Sequence, residues 1–200
     1  MKHLPSWRCS KCQVFFREVA RRVFAQEMKD SNLTSRDEND QYAPQYVLTP
    51  TGAKVNRIFL VGTLIEKEDI GTDSEYWRGR VSDPTGSFLV YAGQYQPEAA
   101  QFLAECELPA FVAVVGKTST YTTDDGNVLT SIRPESIQHV DELTRDLWVL
   151  DTAKQTLERI RAIESEEDQN SKLAKEHYST DIGYYRTIVK KALESLKETE

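Results

Sequence analysis

Two turn signals divide the middle of this chain into strands: Asp83-Pro84-Thr85-Gly86 and Asp124-Asp125-Gly126-Asn127. Proline at the second position of a turn and glycine at the fourth suit a type I turn. Asp-Gly between alternating apolar and polar residues is a hairpin signal. Residues 76–82 and 87–95 flank the first turn, and 111–122 and 128–133 flank the second. Each pair therefore reads as a β-hairpin. Upstream, residues 55–65 form a nearly continuous apolar, β-branched run with Gly62 in its middle, as expected of a strand buried on both faces or bent at the glycine. Residues 97–106 read as one short helix opening at Pro97, where a missing N–H costs nothing.

One strand, a hairpin, a short helix and a second hairpin give five strands with a helix between the third and fourth. That is the order of an OB-fold barrel. The expected fold class is mainly β with α: a five-stranded OB-fold barrel flanked by an N-terminal helix and C-terminal helices. Residues 14–28 carry Phe15, Val19 and Val23 at helical spacing, and residues 29–45 are polar and aperiodic, as in a linker. After the barrel, Leu143, Leu147, Leu150, Leu157, Ile160 and Ile163 line one side of a helix over 142–164. A charged connector and a second helix, capped near Asp181, complete the chain. The expected organisation is an N-terminal extension over 1–45, a barrel over 46–140 and a helical region over 141–200.

Composition narrows the function classes. No apolar run approaches the roughly 18 residues of a membrane span, and the first residues contain no apolar secretory core, so a cytoplasmic protein is expected. Three cysteines make no disulfide framework. Cys9 and Cys12 form a CxxC pair, but a zinc site needs four ligands and no second pair stands at partner spacing, so no metal or cofactor is expected. No nucleophile elbow, phosphate loop or HExxH motif is present, and the three histidines are scattered. An enzyme is not the expectation.

The first hairpin carries the most suggestive chemistry. By period-2 alternation Trp77, Gly79 and Val81 share one face and Tyr76, Arg78 and Arg80 the other. On the next strand Phe88, Val90 and Ala92 read as inward, leaving Leu89 and Tyr91 outward, followed by Gln94 and Tyr95. Aromatic rings and guanidiniums on one outer surface can stack bases and follow phosphates. They also occur as ordinary cross-strand pairs. The last hairpin adds Tyr121 at its tip, with Lys117 and Arg133 on its strands. Against nucleic-acid binding stand the net charge of −7 and, across residues 55–133, eleven Asp/Glu to six Lys/Arg. Such a barrel lacks a general electrostatic funnel.

Four stretches carry a resemblance: Val55-Asn56-Arg57-Ile58-Phe59-Leu60-Val61-Gly62, the run from Val81 through the turn to Pro97, Arg17-Glu18-Val19-Ala20-Arg21-Arg22-Val23-Phe24-Ala25, and Thr130-Ser131-Ile132-Arg133-Pro134-Glu135. Together they resemble the archaeal replication protein A-associated proteins, over about residues 17–164. The resemblance implies an OB-fold subunit that protects single-stranded DNA in replication, repair and recombination beside a larger replication protein A subunit. The layout is also similar to the middle subunit of eukaryotic replication protein A, whose post-barrel helix assembles the complex. By that likeness Leu143, Leu147, Leu150, Leu157 and Ile160 would face partner helices in a hetero-oligomer; the alternative is a helix packed on its own barrel. A second reading of the whole is a scaffold that binds protein only. RNA is not separable from DNA, because stacking platforms accept either sugar.

Overall fold

The computed structural model describes residues 18–36, 43–72, 74–126 and 128–197. The CxxC pair lies outside them. In chain order the elements are α1 (Ala25–Lys29), β1 (Leu33–Ser35), β2 (Tyr46–Leu48), β3 (Lys54–Val55), β4 (Arg57–Asp69), β5 (Trp77–Asp83), β6 (Gly86–Ala92), α2 (Pro97–Glu105), β7 (Ala110–Thr122), β8 (Val128–His139), α3 (Glu142–Ser165), α4 (Gln169–Tyr178) and α5 (Ile182–Glu194).

Strands β4-β5-β6-β8-β7 close into a barrel in that order, with α2 between its third and fourth strands. This is OB-fold topology. Closure depends on β4, which pairs with β7 along its first half and with β5 from Thr63 onward. A strand shared in this way must curve sharply. Gly62 permits it, because a Cβ there would meet the Ser82 carbonyl oxygen at 2.3 Å. The alternation read in β5 and β6 holds: Gly79, Val81, Phe88, Val90 and Ala92 point into the barrel, where Leu60, Leu64, Val112, Val114 and Ile132 meet them. Leu103 of α2 plugs one end.

The N-terminal segment differs from the helix expected over 14–28. Among the described residues only Ala25–Lys29 is helical. Before it the chain is extended, and Arg21 exchanges backbone hydrogen bonds with Arg57 and Phe59 at 2.8 and 2.9 Å. The first half of β4 would otherwise present an open edge on the side that β5 reaches only later. Filling that edge outweighs helix propensity in a segment this short. Val23 and Phe24 are then buried, Phe24 edge-on to Trp148 at 5.8 Å. Helix α1 starts where Asp83 of the first hairpin accepts the Ala25 N–H at 2.7 Å. Burial pushes the Asp83 carboxyl above the usual carboxylate range, against hydrogen bonds from Ala25, Thr85 and Gly86. The expected linker over 29–45 also holds structure, since β1 lies within it and pairs with β2, which pairs with β3, in a small antiparallel sheet outside the barrel.

Helix α3 packs against β4 of the barrel and against α4 and α5 on a face that coincides with the leucine stripe only in its second half. Its buried residues are Trp148, Val149, Thr152, Ala153, Thr156, Ile160 and Ile163. Trp148 Nε1 donates to the Phe59 carbonyl at 3.0 Å, and the Thr152 and Thr156 hydroxyls donate to carbonyls one turn back at 2.7 and 2.8 Å. With their hydroxyls satisfied inside the helix, these small residues let it approach closely. The expected partner stripe is thereby split. Leu143, Leu147 and Leu150 are 64%, 55% and 48% exposed, Leu157 packs against the core, and Ile160 is 0% exposed. Ile160 is thus withdrawn into its own chain, a correction to the stripe read from spacing alone.

Past the connector an unexpected helix, α4, folds back onto the small sheet, and α5 packs against α3. The Tyr178 hydroxyl donates to the Leu48 carbonyl at 2.6 Å and accepts from the Asn32 and Leu33 N–H groups. The Tyr185 hydroxyl donates to Asp30 at 3.0 Å. Burial raises both phenols above their ordinary value, and the Asp30 charge raises Tyr185 further. Because the folded values are raised, this stabilisation is complete below the unfolded phenol value of about 10 and is lost as pH climbs above it. The urea midpoint is therefore expected to hold to about pH 9 and fall above about pH 10. Tyr185→Phe should flatten that fall. Among the described residues no helix is long and apolar enough to cross a membrane.

Candidate nucleic-acid interface

The outward face of β5 and β6 forms the floor of a groove of about 1120 Å³. Tyr76, Arg80, Leu89 and Tyr91 line it, Tyr121 and Leu129 rise on one wall from the β7–β8 hairpin, and α1 closes the end with Gln26 and Lys29. Tyr76 and Tyr91 stack on each other, ring centroids 6.0 Å apart and planes 22° apart. Two local features hold Tyr76 there. Asp69 accepts its N–H at 3.1 Å and that of Gly71 at 3.0 Å, and these two bonds keep the Asp69 carboxyl below its usual range. Gly93 lies beneath the ring, where a Cβ would stand 2.7 Å from Tyr76 Cδ2. A flat aromatic platform results, open to solvent.

The guanidiniums are arranged differently from a free phosphate clamp. Glu66 faces Arg80 and Glu68 faces Arg78 across the β4–β5 ladder. Their ion pairs measure 2.7 and 2.5 Å. Half-exposed pairs of this kind contribute little stability. They do cancel most of the local positive charge, in line with the acidic barrel.

The groove gathers Tyr76, Arg80, Tyr91 and Tyr121 of the residues singled out in the sequence. Arg78 stands on its flank beside Lys67 and Glu68. Gln94 is exposed in the turn after β6. Tyr95, Lys117 and Arg133 lie outside the groove, around a separate depression of about 400 Å³ at the start of α2. Sequence reasoning missed Ile65, Leu129 and the α1 wall. Leu129 carried a signal, being an apolar residue on the polar side of an alternating strand. Ile65 carried none, because a break in register between Leu64 and Glu66 turns it outward.

No family model matches the chain, and no curated protein matches it. Among solved structures it is similar to an OBody bound to hen egg-white lysozyme, at 17% identity over 43% of this chain and 94% of that chain, TM-score 0.37. It is similar to a mitochondrial single-stranded DNA-binding protein from S. cerevisiae at 22% identity over 44% and 95% of the two chains, TM-score 0.35. A second single-stranded DNA-binding protein from Mycobacterium smegmatis matches at 19% identity over 45% and 89%, TM-score 0.37. The OB-fold assignment rests on strand order and barrel closure, and these distant likenesses add nothing to it.

Proposed function

We propose that the protein binds single-stranded DNA in the β5–β6 groove, as a subunit of an archaeal replication protein A-type complex in the cytoplasm. The stacked Tyr76–Tyr91 platform is the observation that carries this reading. A base laid on an aromatic ring gains about 1–3 kcal/mol whatever its identity, which suits a protein that coats DNA without reading it. Because Arg78 and Arg80 are already ion-paired, binding by the chain alone is weak and its dependence on salt shallow. The wider role, protection of DNA in replication, repair and recombination beside a larger subunit, is supported by the resemblance in the barrel and its N-terminal flank. The exposed leucines Leu143, Leu147 and Leu150 supply a face on which that subunit can dock.

The same ion pairs favour a second reading, a barrel that binds protein only. Replacing Tyr91 and Arg80 by alanine separates the two. Loss of oligo-dT crosslinking with complex assembly intact supports the DNA reading, whereas unchanged crosslinking supports the scaffold. Nanomolar binding by the isolated chain at moderate salt contradicts the auxiliary-subunit proposal.

A further inference from the structure

A second cationic feature lies below the groove. On the β7–β8 ladder Lys117 stands directly opposite Arg133, and on the β4–β7 ladder Arg57 stands directly opposite Lys117. Three cations thus occupy one rung across three neighbouring strands. Like charges facing each other across a ladder repel. Arg57 is answered by Glu135 at 2.6 Å. Among the described residues Lys117 and Arg133 have no ion pair or side-chain hydrogen bond. Tyr95, 84% exposed, stands over the same depression, with Glu98 and the Arg57 partner Glu135 as the other charged groups on its rim.

The register connects this rung to the groove. Outward pairs descend the β7–β8 ladder from Tyr121–Leu129 through Ser119–Ser131 to Lys117–Arg133. Four residues at roughly 3.4 Å each place the cations about 14 Å from the tyrosine at the groove wall. Only small hydroxylated side chains lie between.

We infer that the Arg57–Lys117–Arg133 rung, with Tyr95 at its edge, is a second contact that takes the phosphodiester backbone of single-stranded DNA leaving the groove. The inference rests on the proposed function of the groove and divides the labour: tyrosines stack bases above, and Lys117 and Arg133 hold phosphates below. A single OB-fold spans roughly 4–16 nucleotides, so a short strand fills the groove alone and a longer one reaches both contacts.

The test is a salt titration of oligo-dT binding to the full chain with oligomers of about 5 and about 15 nucleotides. Each neutralised phosphate adds about 0.7 to the slope of log K against log salt for a single strand. The long oligomer should therefore show a slope steeper by about 1.4, reflecting Lys117 and Arg133. In the variant Lys117→Gln/Arg133→Gln that excess should vanish, with binding of the short oligomer unchanged. The urea midpoint of this variant should stay level or rise, since a repulsion is removed. An unchanged slope for the long oligomer overturns the inference. Tyr76→Ala/Tyr91→Ala should weaken both lengths. Unchanged binding of both lengths in that variant overturns the groove reading instead, and wild-type chain that binds neither length overturns both.

Discussion

Converting Tyr76 and Tyr91 together to alanine is expected to lower affinity for oligo-dT about 30-fold, read by fluorescence titration at fixed salt. Two stacked bases at about 1–3 kcal/mol each set that scale. The result should fall short of two independent losses, because the rings support one another at 6.0 Å and removing either loosens the other. Single substitutions should therefore each show most of the effect. The barrel itself should be little disturbed, since both rings point away from the Val81, Phe88 and Val90 core. The slope of log K against log salt should not change, because neither residue neutralises a phosphate. That combination, a large loss with a constant slope, distinguishes a stacking platform from an electrostatic one.

The largest effect on stability is expected at Arg159. Its guanidinium reaches from α3 to Glu27 at 3.1 Å and to Thr51 at 2.8 Å. Glu27, 1% exposed, also accepts hydroxyl hydrogen bonds from Thr49 at 2.6 Å and from Thr51. One network thus fastens α1, the β2–β3 turn and α3. Arg159→Leu leaves the Glu27 carboxylate buried with hydroxyls but no opposite charge, which costs about 3–5 kcal/mol. Urea unfolding reads this directly. Adding Glu27→Met to the same background should recover most of the loss, because a buried pair replaced by apolar side chains of similar volume is often neutral or better. A double variant as unstable as Arg159→Leu would show that the network matters for more than charge balance.

What was legible in the sequence follows from the range of the interactions. Both hairpins could be read because turn chemistry and alternation act over a few residues: Asp83-Pro84-Thr85-Gly86 joins β5 to β6 as expected. Their inward and outward faces followed from the same period. The N-terminal segment could not be read, because its conformation is decided by an open edge on β4 more than 30 residues away. The packing face of α3 was hidden for a similar reason. Leucines announce an apolar stripe, but Thr152 and Thr156 form the close contact once their hydroxyls bond within the helix. In the candidate site, Tyr76 and Tyr91 were identified as outward residues, while their mutual stacking was not. Nor could the sequence show that Glu66 and Glu68 oppose Arg80 and Arg78, since that register depends on the break after Leu64. The separation of Tyr95, Lys117 and Arg133 from the groove was equally beyond it, being a property of barrel curvature.

The most direct measurement is zero-length photocrosslinking of oligo-dT carrying a halogenated uracil to the isolated chain, with the attached residue identified by mass spectrometry. A base stacked on the platform should crosslink at Tyr76 or Tyr91, with Tyr121 on the groove wall as a further site. Absence of any adduct in the groove, or adducts confined to α3, α4 and α5, would contradict the proposal that this barrel binds single-stranded DNA.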